Sequence, residues 1–280
     1  MTHATLPVAL WFPMNGRNSR AGRADPRSLS TKTLDVLAAF STTRGRLTLS
    51  DLSRLSGLSL TTTHRIVNDL VGWGALERSG RGGYQVGLRL WEIASLAPRG
   101  LPLREVALPA MEDLYEATHE NVQLAVREGL EVVYVERLTG RGAVRVLTRV
   151  GGRFALHSTG VGLVLLAHAP DDVQEEVLAG PLRRWTEWTI TDPVVLRATL
   201  AEIRRTGVAV SDRQVTDDAL SVASPVRDRS DSVIAALSVV MHADATPAAA
   251  AAPAVRAASR SISRALGHAG AQARPPGLPA

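Results

Sequence analysis

The 280-residue chain contains no cysteine. Disulfides and thiolate metal sites are excluded, and this usage fits a reducing compartment, so a cytoplasmic location is expected. No apolar run is long enough to cross a bilayer, and no membrane partner is expected. The seven histidines lie far apart, without the spacing of a zinc site. The nearest thing to a nucleophile cluster is His157, Ser158 and Thr159, and neighbours in sequence cannot form a triad by adjacency. No catalytic residue, metal or cofactor is therefore expected. The apolar patch over residues 6–14 has no basic residue before it and makes a poor signal peptide. Residues 1–27 read as a disordered extension.

What is there is an ordinary globular balance, 45% apolar and 21% charged. That suffices for a packed core in one large or two medium domains. The charge is uneven. Residues 1–100 hold 13 Lys and Arg against 6 Asp and Glu, whereas residues 101–280 hold 19 against 21. A basic first third points to a polyanion-binding module joined to a near-neutral remainder. Arg17, Arg20, Arg23 and Arg27 place four of those charges in the extension.

Apolar spacing predicts a helix over "LSTKTLDVLAAFS", capped by Ser30 or Thr31. A short helix over "TLSDLSRLSG" is capped by Ser50 and ended by Gly57. A third runs from Leu60 to about Val71, capped by Ser59 and ended by Gly72 and Gly74. "ALERSGRGGYQVG" reads as a β-hairpin around Ser79–Gly83, and "LRLWEIASLA" as a fourth helix. "LPLREVALPAMEDLYEATHE" predicts a longer helix that Pro109 kinks or divides. Beyond it, "NVQLAVREG", "LEVVYVERL" and "AVRVLTRVG" read as strands. "TGVGLVLLAHA", "DDVQEEVLAG" and "DPVVLRATLAEIRRTG" read as helices. "VAVSDRQV", "ALSVASPVRD" and "SVIAALSVVMHA" return to strands. A closing helix is expected over Val255–Leu266, and a disordered tail over residues 269–280.

On a helical wheel, Thr63, Ile66, Val67 and Leu70 share one arc of the third helix. Thr61, His64, Arg65 and Asn68 occupy the opposite arc. Such a helix buries its aliphatic side and presents hydroxyls, an imidazole, an amide and a guanidinium, groups that bond phosphates and base edges. With the preceding helix and the tight turn at Gly57–Ser59 it makes a helix-turn-helix. The hairpin then reads as a wing with Arg78 and Arg81 near its tip. The expected DNA-contacting residues are Ser59, Thr61, Thr62, His64, Arg65, Asn68, Arg78 and Arg81.

"LTLSDLSRLSGLSLTTTHRIVNDLVGWGALER" and "GGYQVGLRLWEIA" resemble the DNA-binding part of the IclR family of bacterial transcription regulators. "LREVALPAMEDLYEATHENVQLAVREGLEVVYVERL", "RVGGRFALHSTGVGLVLLA" and "TLAEIRRTGVAVSDRQVTDDALSVASPVRDRSDSVIAALSVV" resemble, in the same order, its linker helix and effector domain. The resemblance covers residues 28–242. It implies an α+β protein: a winged helix-turn-helix over residues 28–100, a linker helix over 101–118 and a GAF-like α/β effector-binding domain over 119–268. It also implies a dimer or tetramer, double-stranded operator DNA as partner, and repression or activation under control of a small ligand. That ligand is often a carboxylate or aromatic acid from a catabolic pathway. The chain departs from the family pattern at Leu60, Ala155, Leu163-Val164, Gln214 and Asp218, whereas Ser221 is a known alternative to the usual cysteine. Most of these departures concern the ligand.

"HSTGVG" stands at the start of a helix after a strand. Free N–H groups there favour an anionic ligand group, and Gly160 and Gly162 permit close approach. The expected effector site takes His157, Ser158 and Gly160 from this segment. By resemblance, Asp212, Leu220, Ser221 and Ser238 fall at pocket-lining positions. Ser221 and Ser238 can bond a carboxylate, and Leu147, Val161, Leu220 and Val240 can form apolar walls. The stripe from Leu103 to Thr118 and the fourth helix with Trp91 are candidates for a subunit contact. Trp185 and Trp188 match no family pattern. The alternative is a metabolite-binding or enzymatic protein whose helical head binds protein and shows no salt-dependent DNA affinity.

Overall fold

The computed structural model describes residues 27–42, 45–80, 82–97, 100–244 and 247–269. The expected extension through residue 26, the tail from residue 270 and Arg81 lie outside the described residues. The chain divides into two compact units, Met1–Ala97 and Pro98–Ala280.

The first unit opens with the helices α1 (Leu29–Ala38), α2 (Leu49–Ser56) and α3 (Leu60–Trp73). The first two caps differ from expectation. Ser28, not Ser30 or Thr31, caps α1 by accepting the Thr31 N–H. Thr48, not Ser50, caps α2 through a reciprocal capping box with Asp51. Two orphan N–H donors are thereby satisfied. Bonds from the Thr48 hydroxyl and N–H hold the Asp51 carboxyl below its ordinary range. The box was hidden because its third residue is Asp where Glu or Gln is usual. Ser59 caps α3 as expected, but the helix continues through Gly72 and stops at Gly74, whose φ of 88° is left-handed. Val36, Leu52, Ile66, Val67 and Leu70 meet in the core of this unit. Arg27, placed by the sequence reading at the end of the extension, is tied to this body. It pairs with Asp35 at 2.6 Å and donates to the carbonyls of Ser56 and Gly57 at the end of α2.

The hairpin forms from β2 (Leu76–Ser79) and β3 (Gly83–Val86), with Ser79 opposite Gly83. A two-residue strand, β1 (Leu47–Thr48), adds to β3 and completes a three-stranded sheet. Two residues are too few for a period to show in sequence. Helix α4 (Leu88–Ala94) follows.

The second unit opens with α5 (Leu101–Thr118), a single helix that Pro109 does not divide. Pro109 lies on the exposed side, where a carbonyl released from the ladder can turn to water. The sheet contains β4 (Asn121–Glu128), β5 (Glu131–Leu138), β6 (Arg153–Ala155), β7 (Ala209–Asp212), β8 (Ala219–Arg227) and β9 (Val233–His242). Its order is β6-β5-β4-β9-β8-β7, antiparallel throughout. Helices α6 (Gly160–Ala167), α7 (Asp171–Ala179), α8 (Pro193–Thr206) and α9 (Ala248–Ala265) complete the unit. Met111 of α5 and Val255 of α9 pack with Leu124, Val222 and Leu237 on one sheet face. The alternate residues Ser221 and Ala223 meet α6 at Gly160 on the other face. Every residue of α6 is buried, which fits a helix that is apolar all round. Helix α9 starts seven residues before the expected Val255, since "AAAAAPA" carries strong alanine propensity.

Residues 143–151 are not the expected strand. Their alternation is present, with Val144 and Thr148 buried, but side chains take the place of a neighbouring ladder. Asn121 Nδ2 donates to the Val144 carbonyl at 2.8 Å, and Arg137 Nη1 donates to the Thr148 carbonyl. The strand at that sheet edge is instead the short β6.

Candidate DNA interface and effector cavity

Helix α3 buries Thr63, Ile66, Val67 and Leu70. The Thr63 hydroxyl donates to the Ser59 carbonyl at 2.9 Å, so this buried polar group is satisfied. Thr61, His64 and Arg65 are exposed and Asn68 is half-buried, which is the arc read from the wheel. Ser59 and Thr62 use their hydroxyls on one another at 2.9 Å within the cap. Arg65 makes no hydrogen bond or ion pair among the described residues.

Arg78 lies near the hairpin tip as expected, opposite Tyr84 and one pair before the last rung, Ser79–Gly83. Its Nη2 donates to Asn68 Oδ1 at 2.9 Å, and its guanidinium lies 5.6 Å from the Tyr84 ring centroid. Asn68 Nδ2 lies 3.3 Å from His64 Nε2. His64, Asn68 and Arg78 therefore form one polar network across α3 and the wing. Register created this link: ten residues of chain separate Asn68 from Arg78.

In the second unit a cavity of about 50 Å³, room for a few waters, lies against the α6 end of the sheet. Two irregular segments, 146–148 and 214–216, close it. Five of the expected effector residues line it: Leu147, Gly160, Val161, Ser221 and Val240. The other five do not. His157 is buried and its Nε2 donates to the Arg183 carbonyl at 2.9 Å. Burial holds its imidazole below the ordinary histidine range, against the pull of that carbonyl. Ser158 is buried, and its carbonyl accepts from Ser211 Oγ at 3.0 Å. Asp212 points outward and pairs with Arg213 at 3.0 Å. Leu220 alternates with Ser221 and so lies in the core on the opposite sheet face. Ser238 stands beside Gln123 on the cavity side but is fully buried in the sheet.

The sequence reading missed Gln123, Tyr134, Thr148 and Ser211 in the cavity wall; Thr159, within the segment "HSTGVG", and Gln214, one of the departures from the family pattern, also line it. One signal was present: a glutamine inside the apolar run "NVQLAV" requires a buried partner. That partner is the Thr148 hydroxyl, at 2.7 Å from Gln123 Nε2. Burial pushes the Tyr134 phenol well above its ordinary range, and the Thr159 hydroxyl bonds to it. Thr159 also caps α6 by accepting the Gly162 N–H at 3.0 Å. Among the described residues, no charged side chain lines the cavity.

The two glycines answer to protein packing rather than to a ligand. A Cβ on Gly160 would come within 2.6 Å of Ser221 Oγ, and one on Gly162 within 2.4 Å of the Leu156 carbonyl. Their absence of side chains lets α6 begin directly on the sheet. The N–H groups of Gly160 and Val161 stand in the first turn, where an α-helix supplies no acceptor. Trp185 packs on Phe154, with centroids 4.7 Å apart, and Arg183 covers it at 4.0 Å. Thr186 and Thr189 beside it donate to the carbonyls of Arg213 and Gln214. Trp188 is 57% exposed.

A winged helix-turn-helix joined in sequence to a cavity-bearing α/β unit defines a DNA-binding, ligand-responsive transcription regulator. The IclR helix-turn-helix domain family matches residues 31–80, and the bacterial transcriptional regulator IclR C-terminal family matches residues 97–264. The chain belongs to the IclR family. It is 31% identical over 194 residues to the HTH-type transcriptional regulator KipR of Bacillus subtilis, covering 69% of this chain and 78% of that one. It is 29% identical over 210 residues to the HTH-type transcriptional regulator XynR of Escherichia coli, covering 74% and 83%. An IclR homolog from Microbacterium hydrocarbonoxydans, solved in complex with 4-hydroxybenzoate, is 39% identical with a TM-score of 0.81. That match covers 85% of this chain and 99% of the other. Among the described residues, no helix is long and apolar enough to cross a membrane.

Proposed function

We propose that the protein is a non-enzymatic regulator of a catabolic operon whose effector is a small aromatic or other organic monocarboxylate. The cavity carries this reading, because among the described residues its wall holds hydroxyls, two amides and apolar groups but no charged side chain. One carboxylate can be met by the first-turn N–H groups of α6 and by Ser221, as at other helix N-termini. A second carboxylate would find no counter-charge. The 4-hydroxybenzoate bound to the Microbacterium homolog supports the same class. At about 50 Å³ the cavity must widen to admit a ring. The irregular segments 146–148 and 214–216 are the walls free of ladder bonds that can move.

The effector domain spans residues 119–268, the linker helix 101–118 and the DNA-binding domain 28–100. Arg65, Thr61 and the His64–Asn68–Arg78 network make the principal base and phosphate contacts, with Ser59, Thr62 and Arg81 beside them. The protein acts as a dimer or tetramer. Leu88, Trp91, Ile93 and Leu96 leave α4 and its continuation with exposed apolar side chains, Trp91 at 58%, which supports self-association. A two-fold dimer presents its recognition helices to half-sites about 34–36 Å apart.

The test is a fluorescence titration against DNA upstream of its own gene, at two salt concentrations, with and without hydroxybenzoates. Tight, salt-sensitive, sequence-selective binding altered by one acid is expected. Selective DNA binding that no monocarboxylate alters overturns the effector class. Absence of selective binding overturns the DNA reading.

A further inference from the structure

Strand β5 touches both the cavity and the linker helix, through Tyr134 and Glu136, two positions apart. Its register with β4 pairs Leu124 with Glu136 but Ala125 with Tyr134. Val135 is therefore an extra, bulged residue, and a bulge re-aims the side chains around it. On a regular strand Tyr134 and Glu136 would share a face. Here Tyr134 enters the cavity wall, while Glu136 pairs across the sheet with Leu124, a residue of the α5 core.

Glu136 is 7% exposed, and both its carboxylate oxygens are engaged. Oε2 bonds Arg104 Nε in the first turn of α5. Oε1 accepts the Arg137 N–H at 2.7 Å. The Arg137 guanidinium in turn donates to the Thr148 carbonyl. Thr148 lines the cavity and holds Gln123. A continuous polar chain thus runs from the cavity wall through Thr148, Arg137 and Glu136 to Arg104. Arg104 stands seven positions after Ala97 in sequence, in the opening turns of α5. A ligand that displaces segment 146–148 changes the pull on Arg137, and Glu136 shares its backbone.

We propose that Glu136 is a positioning residue for the regulatory response: it couples the state of the effector cavity to the N-terminal turn of the linker helix through Arg104. This rests on the proposed effector role of the cavity. Glu136 touches no ligand, so its removal should uncouple two binding events while leaving each intact. Allosteric coupling is a free energy between sites and is separable from either affinity.

The experiment compares full-length wild type and Glu136→Gln for operator affinity with and without saturating 4-hydroxybenzoate, and for the affinity of 4-hydroxybenzoate itself. Wild type should change operator affinity by about fivefold or more on adding the acid, the lower end of ordinary coupling. E136Q should bind the acid and the bare operator as wild type does, within about threefold, yet show almost no change on adding the acid. Arg104→Met should reproduce the loss, and Arg104→Lys should retain the response because charge is kept. Glu131→Gln breaks the Arg153–Glu131 ion pair on the same strand and should leave the response intact. A merely structural role would lower acid affinity and thermal stability without selectively removing the response. If wild type responds and E136Q and R104M respond equally, this inference is wrong while the effector role stands. If wild type binds operator but no monocarboxylate, the effector role fails and this inference with it.

Discussion

Gln123 Nε2 donates to the Thr148 hydroxyl at 2.7 Å, and both residues are almost wholly buried in the cavity wall. The pair joins the middle of the sheet to a segment that has no ladder of its own. Gln123→Leu leaves the Thr148 hydroxyl buried without its partner. The expected cost is about 1–3 kcal/mol of stability, typical of an orphaned buried group. Acid affinity should fall as well, because the wall loses its anchor. Urea denaturation and calorimetric titration check the two effects. Unchanged stability together with unchanged affinity would show that the bond carries neither.

Gly160→Ala places a methyl carbon 2.6 Å from Ser221 Oγ. The Ser221 hydroxyl must turn away, and α6 or β8 must also give slightly to relieve the 3.2 Å and 3.3 Å contacts with the Cβ atoms of Ser221 and Ala223, an overpacking cost of about 1–3 kcal/mol. The first-turn N–H groups move with the helix. Effector binding should be weakened strongly, whereas operator binding without effector should persist. Gly160→Ala with wild-type acid affinity would remove α6 from the ligand site.

Arg65→Ala should lower operator affinity by roughly 1–3 kcal/mol, the range of a specific base contact. Arg78→Ala acts differently, because Arg78 organises Asn68 and rests on Tyr84. Its loss should also alter the selectivity that Asn68 and His64 supply. Competition titrations against single-base operator variants separate the two. Equal losses on every sequence would assign Arg65 to phosphate.

Burial depresses the folded-state pKa of His157, and of His168 as well. The unfolded chain therefore takes up these protons first. The stability they contribute is present above the ordinary histidine value of about 6.5 and is lost as pH falls through the folded value. Each group can contribute a slope approaching ~1.4 kcal/mol per pH unit over that window. His157→Gln can keep the bond to the Arg183 carbonyl and should flatten the decline between pH 7 and 5 in denaturant titrations by about one group's share. An unchanged slope would mean that His157 binds its proton equally in both states.

The first unit was legible because its signals are local. A helix wheel separates Thr63, Ile66, Val67 and Leu70 from Thr61, His64, Arg65 and Asn68 using covalent periodicity alone, and Ser59 caps within three residues. Strands β4 and β5 and helix α6 were likewise marked by apolar runs bounded by polar or glycine residues. The alternation of "AVRVLTRVG" misled, since an alternating burial pattern does not require a ladder. Side chains of Asn121 and Arg137, distant in sequence, took the place of a neighbouring strand.

The sequence by itself determined the helix-turn-helix, its exposed polar arc and most of the strands and helices, though not β1, β6 or the irregular course of residues 143–151, because 3.6- and 2-residue periods, caps and turns act over a few residues. Which side chains share a cavity was decided only by the tertiary structure. Leu220 and Ser221 are neighbours in the chain and lie on opposite faces of the sheet. Tyr134 and Glu136 would share a face but for the bulge at Val135. Gln123, Thr148 and Ser221 meet because antiparallel pairing across β4, β9 and β8 sets the register, and register depends on residues more than a hundred positions apart.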